Sequence, residues 1–301
     1  MRASREFERG RRTRAELDQL TVRGEGIVTA LEERLGLSWV TGGHLGVHDL
    51  FRPLVDSTEG MMTGPLTRWY ETNTFYRRPV AEAPPRLNVR KLAYHLPSSS
   101  GKASVILPGP WTFARLTEDR RTGAPHDLEA QLVSVLEEAI VALRNAGFAQ
   151  FILHEPELVV RPPAGPAAEQ LLREYSGLRA ALGKSSGLVW TYFGNAGPVL
   201  PLLARLPVDG VGVDLSETRP SDLRSWTASQ ELGLGCLDAR TSLPENPEDI
   251  AKIARELLSR LSPRGLVLGP GVPLDLLPET AAIRKLEVLG KARELLGGHQ
   301  A

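Results

Sequence analysis

Short apolar runs alternate with helix-period segments along most of the chain. The runs are LSWVTGG (37–43), LNVRKLAY (87–94), ASVILPGP (103–110), FAQFILHEP (148–156), GLVWTYFG (187–194), DGVGVDLS (209–216), LGLGCLDAR (232–240) and GLVLGPGV (265–272). Each is rich in Val, Ile or Leu and ends in Gly, Pro or polar residues. Between them stand segments such as DLEAQLVSVLEEAIVALRNAG (127–147). There Leu132, Leu136, Ile140 and Leu143 recur at spacings of three and four, and Asn145-Ala146-Gly147 closes the helix with a C-cap. PEDIAKIARELLSRLSPRG (247–265) repeats the pattern. Continuous apolar strands alternating with helices predict an α/β fold with a parallel sheet covered on both faces. Eight such units match a single (β/α)8 TIM barrel, which takes about 250 residues. The expectation is one barrel domain over residues 1–301, with an N-terminal helical segment. A doubly wound open sheet is the alternative, but VTGGHLGVHDL (40–50) lacks the G-x-G-x-x-G spacing that would mark it. VAEAPPRLNV (80–89) reads as a turn.

Composition narrows the function classes. Lys plus Arg and Asp plus Glu number 36 each, so no global field draws the chain to nucleic acid or a membrane. No apolar run approaches the roughly 20 residues of a membrane span. The opening MRASREFERGRRTRAEL is too charged for the core of a secretory signal. One cysteine, Cys236, excludes an internal disulfide framework and a cysteine-rich metal site, and points to a reducing, cytoplasmic setting.

In a barrel, chemistry sits at the C-terminal ends of the strands. The positions to inspect are therefore Gly42, Gly43 and His44; Tyr94 and His95; Pro108 to Trp111; His154 and Glu155; Gly194 and Asn195; Asp214 and Glu217; Asp238 and Arg240; and Gly269 to Val272. Asp238 and Arg240 read as an ion pair that orders the rim. His44 and His48, four apart, would share one face of a helix, and with His154 and Cys236 they make an unorthodox metal site conceivable. Gly46 and Val47 speak against that helix, and Cys236 reads as a small buried hydrophobe. Ser98-Ser99-Ser100-Gly101 lacks the Lys-Ser/Thr of a phosphate cradle.

One stretch breaks the alternation. TGPLTRWYETNTFYRRPV (63–80) sets Trp69, Tyr70, Phe75 and Tyr76 beside Arg68, Arg77 and Arg78. Its RWYETNTFYRRPV portion resembles the Trp-(Phe/Tyr)-(Asp/Glu)-Thr-Asn segment of cobalamin-independent methionine synthases. ILPGPWTFARL (106–116) and FILHEPELV (151–159) are similar to two of their strand ends. WTYFGNAG (190–197), LPVDGVGVDL (206–215) and LGPGVPLDLLPETAAIRKLEVL (268–289) resemble their fifth, sixth and closing segments. The resemblance runs from about Arg5 onward and is closest to the N-terminal barrel of that tandem family. It implies a single-barrel or split member.

What the resemblance implies is methyl transfer to homocysteine or a similar thiol, from methyltetrahydrofolate or a methyl-corrinoid. It places an aromatic excursion before the second strand, over or beside the barrel mouth. The arginines of that excursion would meet anionic groups; the alternative is a hairpin packed on the flank with its arginines in solvent. The family's zinc ligands are His-x-Cys after the fifth strand, Glu after the sixth and Cys after the eighth. Here those positions hold Gly194 to Gly197, then Asp214 and Glu217, then Gly269 to Gly271. Zinc is therefore expected to be absent, since a catalytic site needs three protein ligands. His154 replaces the family's Asp before Glu155. On this reading His154, Glu155, Asp214 and Glu217 are the catalytic candidates. His44, Asn73, Trp111, Tyr192, Asn195, Asp238 and Arg240 are candidates for binding a small-molecule substrate. Two functions remain open: a methyltransferase, or a noncatalytic barrel that partners a separate zinc-bearing catalytic barrel.

Overall fold

The computed structural model describes residues 6–7, 9–92, 104–122, 127–227 and 229–297. The first long element is α1 (Arg14–Arg34). A reciprocal capping box starts it: the Glu16 amide donates to the Thr13 hydroxyl at 3.3 Å, and the Thr13 amide donates to the Glu16 carboxylate at 2.7 Å. This helix buries polar residues, Glu25, Thr29 and Glu32. Their use is local. Glu32 accepts the amides of Thr41 and Gly42 at 2.9 and 2.8 Å, and Glu25 accepts that of Gly46 at 3.1 Å. These bonds hold a left-handed turn in which Gly42, Gly43 and His44 have φ of 64°, 75° and 47°. The turn ends the first apolar run early. Only Val40 of residues 37–43 reaches the sheet, its carbonyl accepting the Ser104 amide at 2.7 Å. It also rules out the helix that would have put His44 and His48 on one face.

A short helix, α2 (Arg52–Val55), leads into a long antiparallel hairpin of β1 (Thr58–Arg68) and β2 (Phe75–Leu87). Residues 80–87, expected in a turn, are strand. Sequence reasoning failed there because Pro84 and Pro85 argue against a strand. The structure absorbs them where the register jumps from Met61–Ala81 to Glu59–Arg86. Gly60, at φ 83°, lies against the Ala83 and Pro84 carbonyls, where a side chain would not fit.

Next come β3 (Ser104–Pro108), α3 (Pro110–Leu116) and a two-residue strand, β4 (Glu118–Asp119), that pairs with β2. Then α4 (Leu128–Asn145) and β5 (Gln150–His154) are followed by α5 (Glu157–Val160), α6 (Pro166–Leu182) and β6 (Ser186–Thr191). The remainder is α7 (Leu200–Leu203), β7 (Gly210–Asp214), β8 (Glu231–Leu237), α8 (Pro247–Leu261), β9 (Leu266–Pro270) and α9 (Glu279–Leu295). Six of the apolar runs form one parallel sheet in the order β3-β5-β6-β7-β8-β9. The run 87–94 does not join it: β2 ends at Leu87, a 3-10 turn covers Val89–Lys91, and 93–103 lies outside the described residues. Among the described residues the eight expected strands are therefore six, and no closed eight-stranded ring is seen.

The sheet is nevertheless strongly curled. In a flat sheet β9 would lie about 14 Å from β6. The indole of Trp190, on β6, instead lies across all three later strands. A Cβ on Gly212 would collide with it, one on Gly233 would stand 2.6 Å from Cζ3, and one on Gly269 would stand 3.0 Å from Cη2. One indole thus fills the concave side of β7, β8 and β9, and the strands present glycines so that it fits. The Trp190 indole N–H faces the Gly271 carbonyl at 3.4 Å.

Candidate functional site

The C-terminal edge of the sheet gathers most of the candidate residues into two clusters. The first centres on His154, at the end of β5. Its Nδ1 stands 3.1 Å from the Tyr192 hydroxyl, and both side chains are buried. His44 is not at this edge: half-buried, it sets Nε2 3.3 Å from the carbonyl of Ser104, the first residue of β3. Burial lowers the His44 pKa to about 4; burial and then His44 lower that of His154 to about 3. Both imidazoles are neutral at physiological pH. Burial raises the Tyr192 phenol well above its ordinary value, so the pair offers hydrogen bonds and no charge.

The aromatic stretch covers this cluster as the tip of the β1–β2 hairpin. Tyr70 packs on Phe193 with ring centroids 4.8 Å apart, Phe193 on Tyr192 at 4.8 Å, and Trp69 on Tyr70 at 4.9 Å. Trp69 and Tyr76 are buried, whereas Phe75, Arg68 and Arg77 are exposed. Its inner face is thus a packed wall, and two of its arginines are in solvent. His44, Tyr70 and Phe193 are three of the four non-glycine residues with positive φ among the described residues, at 47°, 49° and 68°. Such backbone costs of order 1–2 kcal/mol per residue and persists only where packing enforces it.

Glu155 points elsewhere. Its carboxylate is fully enclosed and accepts the amides of Trp111 and Thr112, at 3.0 and 2.8 Å, and the Tyr175 hydroxyl at 3.0 Å. It therefore caps the first turn of α3. A Cβ on Gly109 would strike it. Burial pushes its pKa up to about 7 against those three donors. Two residues on, Glu157 is equally enclosed. It accepts the Tyr70 hydroxyl at 2.7 Å and Arg161 Nε at 2.6 Å, tying the hairpin to the sheet edge. Glu157, Tyr70 and Tyr175 were not among the sequence candidates. The repeat of glutamates in HEPE (154–157) was the available signal.

The second cluster is built around Arg240. Its Nη1 and Nη2 each stand 3.0 Å from Asp214 Oδ2, Nη2 also reaches Glu217 at 2.8 Å, and Nε faces Asp238 at 3.4 Å. The expected Asp238–Arg240 pair is thus the weakest of three, and Asp214 is the main partner. Asp214 is fully buried at the end of β7; burial raises its pKa, opposed by the Ser216 amide and Arg240. Gly271 gives it room, since a Cβ there would touch Asp214 Oδ1. Behind Asp238, Glu245 accepts its amide at 2.9 Å and pairs at 2.6 Å with Lys285, which is wholly buried.

Three candidates stand apart. Asn73 is exposed at the hairpin tip. Asn195 donates to Asp222 at 3.1 Å and accepts the Gly197 amide, which shapes its own turn. Trp111 faces a groove beside α3. Cys236 lies half-buried in β8, where burial pushes the thiol up to about 12. Tyr94, His95 and residues 98–101 lie outside the described residues.

A family model described as cobalamin-independent synthase, N-terminal domain, matches residues 56–261, more than half of the chain. The chain belongs to this family. Among its curated relatives, the 5-methyltetrahydropteroyltriglutamate–homocysteine methyltransferase of Synechococcus sp. (strain JA-2-3B'a(2-13)) is 29% identical over 249 residues, covering 78% of this chain and 31% of the relative. The enzyme of the same name from Mycobacterium tuberculosis (strain ATCC 25618 / H37Rv) is 29% identical over 262 residues, covering 78% and 34%. The chain thus spans about a third of the length of the curated relatives it matches. Among solved structures, a B12-independent methionine synthase from Shewanella sp. W3-18-1, in complex with selenomethionine, superposes with a TM-score of 0.77 at 15% identity, covering 96% of this chain and 91% of that one. A putative vitamin-B12-independent methionine synthase from Listeria monocytogenes gives a TM-score of 0.68 at 18% identity over 97% and 92%.

Membership of the cobalamin-independent synthase family raises the question of zinc. The donor set at the family's ligand positions does not fit it. Gly194 to Gly197 and Gly269 to Gly271 offer no imidazole or thiol, and the remaining carboxylates, Asp214 and Glu217, are taken by Arg240. Among the described residues no three His, Cys, Asp or Glu side chains gather as a metal site. Among them, too, no helix is long and apolar enough to cross a membrane.

Proposed function

We propose that this chain serves methyl transfer to homocysteine or a similar thiol as the domain that does not hold the metal-activated thiol. In this reading its six strands belong to a single barrel spanning residues 1–301, and a zinc-bearing barrel, on the same polypeptide or another, completes the reaction. The observation that carries the reading is the Arg240 clamp: a guanidinium stands between the two carboxylates left at the ligand positions. A thiol with its ordinary pKa of about 8.5 needs a metal or a base to become a nucleophile at neutral pH. Glu155 is sealed under α3, and His154 faces Tyr192 within an aromatic wall. What this edge offers is binding: neutral hydrogen-bonding groups beside stacked rings suit a flat, uncharged portion of a methyl donor, methyltetrahydrofolate or a methyl-corrinoid. His154 and Tyr192 would orient that portion. The lone, half-buried cysteine fits a cytoplasmic setting.

A second reading, methyl transfer by this chain alone, draws support from the Shewanella protein, of whose chain it covers 91%. The two separate in one assay. Methyl transfer from methyltetrahydrofolate or methylcobalamin to homocysteine is measured with the purified chain, with and without a barrel carrying the family's His-x-Cys and later Cys. Product formed only with that barrel present supports the first reading. Turnover by the chain alone sinks it.

A further inference from the structure

Beside the sheet edge, α3 and the chain between α5 and α6 enclose a groove of about 380 Å³, lined by Trp111, Arg115, Arg161, Pro162, Pro163 and Ala167. We propose that this groove binds a small organic anion, a carboxylate or phosphate on an apolar body, through Arg115 and Arg161.

The argument rests on how the two guanidiniums are held. Arg115 Cζ lies 4.0 Å from the centre of the Trp111 ring, a cation–π contact, and no carboxylate pairs with it among the described residues. The indole beneath it is fixed in turn: its Nε1 donates to the Arg161 carbonyl at 2.9 Å, and its backbone amide donates to Glu155 at 3.0 Å. Arg161 is anchored through Nε alone, at 2.6 Å from Glu157. Its terminal nitrogens have no partner among the described residues, and the residue lines the groove.

Some exposed arginines of this chain sit on carboxylates, as Arg205 does on Glu169 and Arg260 on Glu256. Arg115 has no carboxylate partner among the described residues, and Arg161 meets Glu157 through Nε alone, so each keeps two terminal nitrogens for an oxyanion. The walls add the second half of the ligand. Pro162 and Pro163 have no N–H, and with Ala167 they offer apolar surface. A volume of about 380 Å³ falls in the range of small-molecule sites. Binding at the free end of Arg161 leaves its bond to Glu157 in place, so occupancy strands no buried charge.

The test is calorimetric titration of the full chain with phenyl phosphate and with benzoate, with phenol and inorganic phosphate as comparisons. Saturable one-to-one binding of at least one aryl anion, weakened by salt, and none of phenol, supports the proposal. Which aryl anion binds more tightly identifies the headgroup. Arg115→Ala and Arg161→Lys should each weaken binding about tenfold or more, the loss of one charge-assisted contact, while Arg260→Ala leaves it unchanged. Circular dichroism confirms that the variants are folded. No saturable binding of either aryl anion up to ~5 mM overturns the proposal. So does unchanged affinity in Arg115→Ala, a surface change that leaves Glu157 untouched. Inorganic phosphate binding as tightly as phenyl phosphate would refute the apolar half of the site.

Discussion

The indole of Trp190 and its bed of glycines make a prediction that can be worked through in numbers. The three nearest neighbours of a Cβ placed on Gly212 are all atoms of the Trp190 ring, at overlapping distances. Gly212→Ala therefore overpacks a closed site and should cost about 1–3 kcal/mol. Trp190→Ala empties the same site and should cost about 3–5 kcal/mol. The double variant is the informative one. With the ring gone, the new methyl enters vacated space and buries about 0.8 kcal/mol of apolar surface. Gly212 does not have positive φ, so alanine also gains about 0.4–1 kcal/mol by restricting the unfolded chain. Gly212→Ala should thus turn from destabilising to neutral or stabilising, a coupling of about 2 kcal/mol or more. Urea denaturation of the four proteins of the cycle measures it, given two-state transitions. If Gly212→Ala costs the same with and without the indole, the ring does not lie on β7 and the curl inferred from it is wrong.

Other perturbations follow from the site. Glu155 has its pKa raised from the ordinary value of 4.5 to about 7. Folding therefore favours its protonated form, and its contribution to stability is full below about pH 4.5 and fades as pH rises through 7. The shift corresponds to an order of 3 kcal/mol. Glu155→Gln should flatten the fall in stability between pH 5 and pH 8; parallel slopes in the two proteins would refute this. Arg240→Met leaves the buried Asp214 without its counter-charge and should lower stability by up to the ~3–5 kcal/mol of a broken buried pair, less because Arg240 is itself partly exposed. An unchanged urea midpoint would mean that the clamp contributes nothing. Tyr70→Phe removes one hydrogen bond to the buried Glu157 and should cost about 1.5 kcal/mol. It should also speed proteolysis within the hairpin, and an unchanged cleavage rate would argue against the tie.

Much of this architecture was legible in the chain. Six continuous apolar runs became adjacent parallel strands, and the three-and-four spacing of Leu132, Leu136, Ile140 and Leu143 marked the buried face of α4. The first run failed for a reason periodicity does not carry: Glu32, from a helix, captures the amides after Val40 and turns the chain away. A hairpin was one reading of the aromatic stretch, but its length was hidden because Pro84 and Pro85 made 80–89 read as a turn, whereas a register shift accommodates them. Strand-end position identified His154, Asp214 and Arg240 as neighbours of the edge, but not the partner each would take. Glu155 and Glu157 differ in role because one meets α3 and the other the hairpin, a long-range matter. The Trp190 bed left a trace that could have been used: glycines recur in DGVGVD, LGLGC and LVLGPG, on three successive strands.

The central claim is that a guanidinium stands where this family's relatives would need metal donors. Zinc content measures it most directly: the purified full chain is equilibrated with zinc, dialysed against a weak chelator and assayed by mass spectrometry. The account predicts far less than one zinc per chain, in the native protein and regardless of added homocysteine. One tightly held zinc per chain would contradict it.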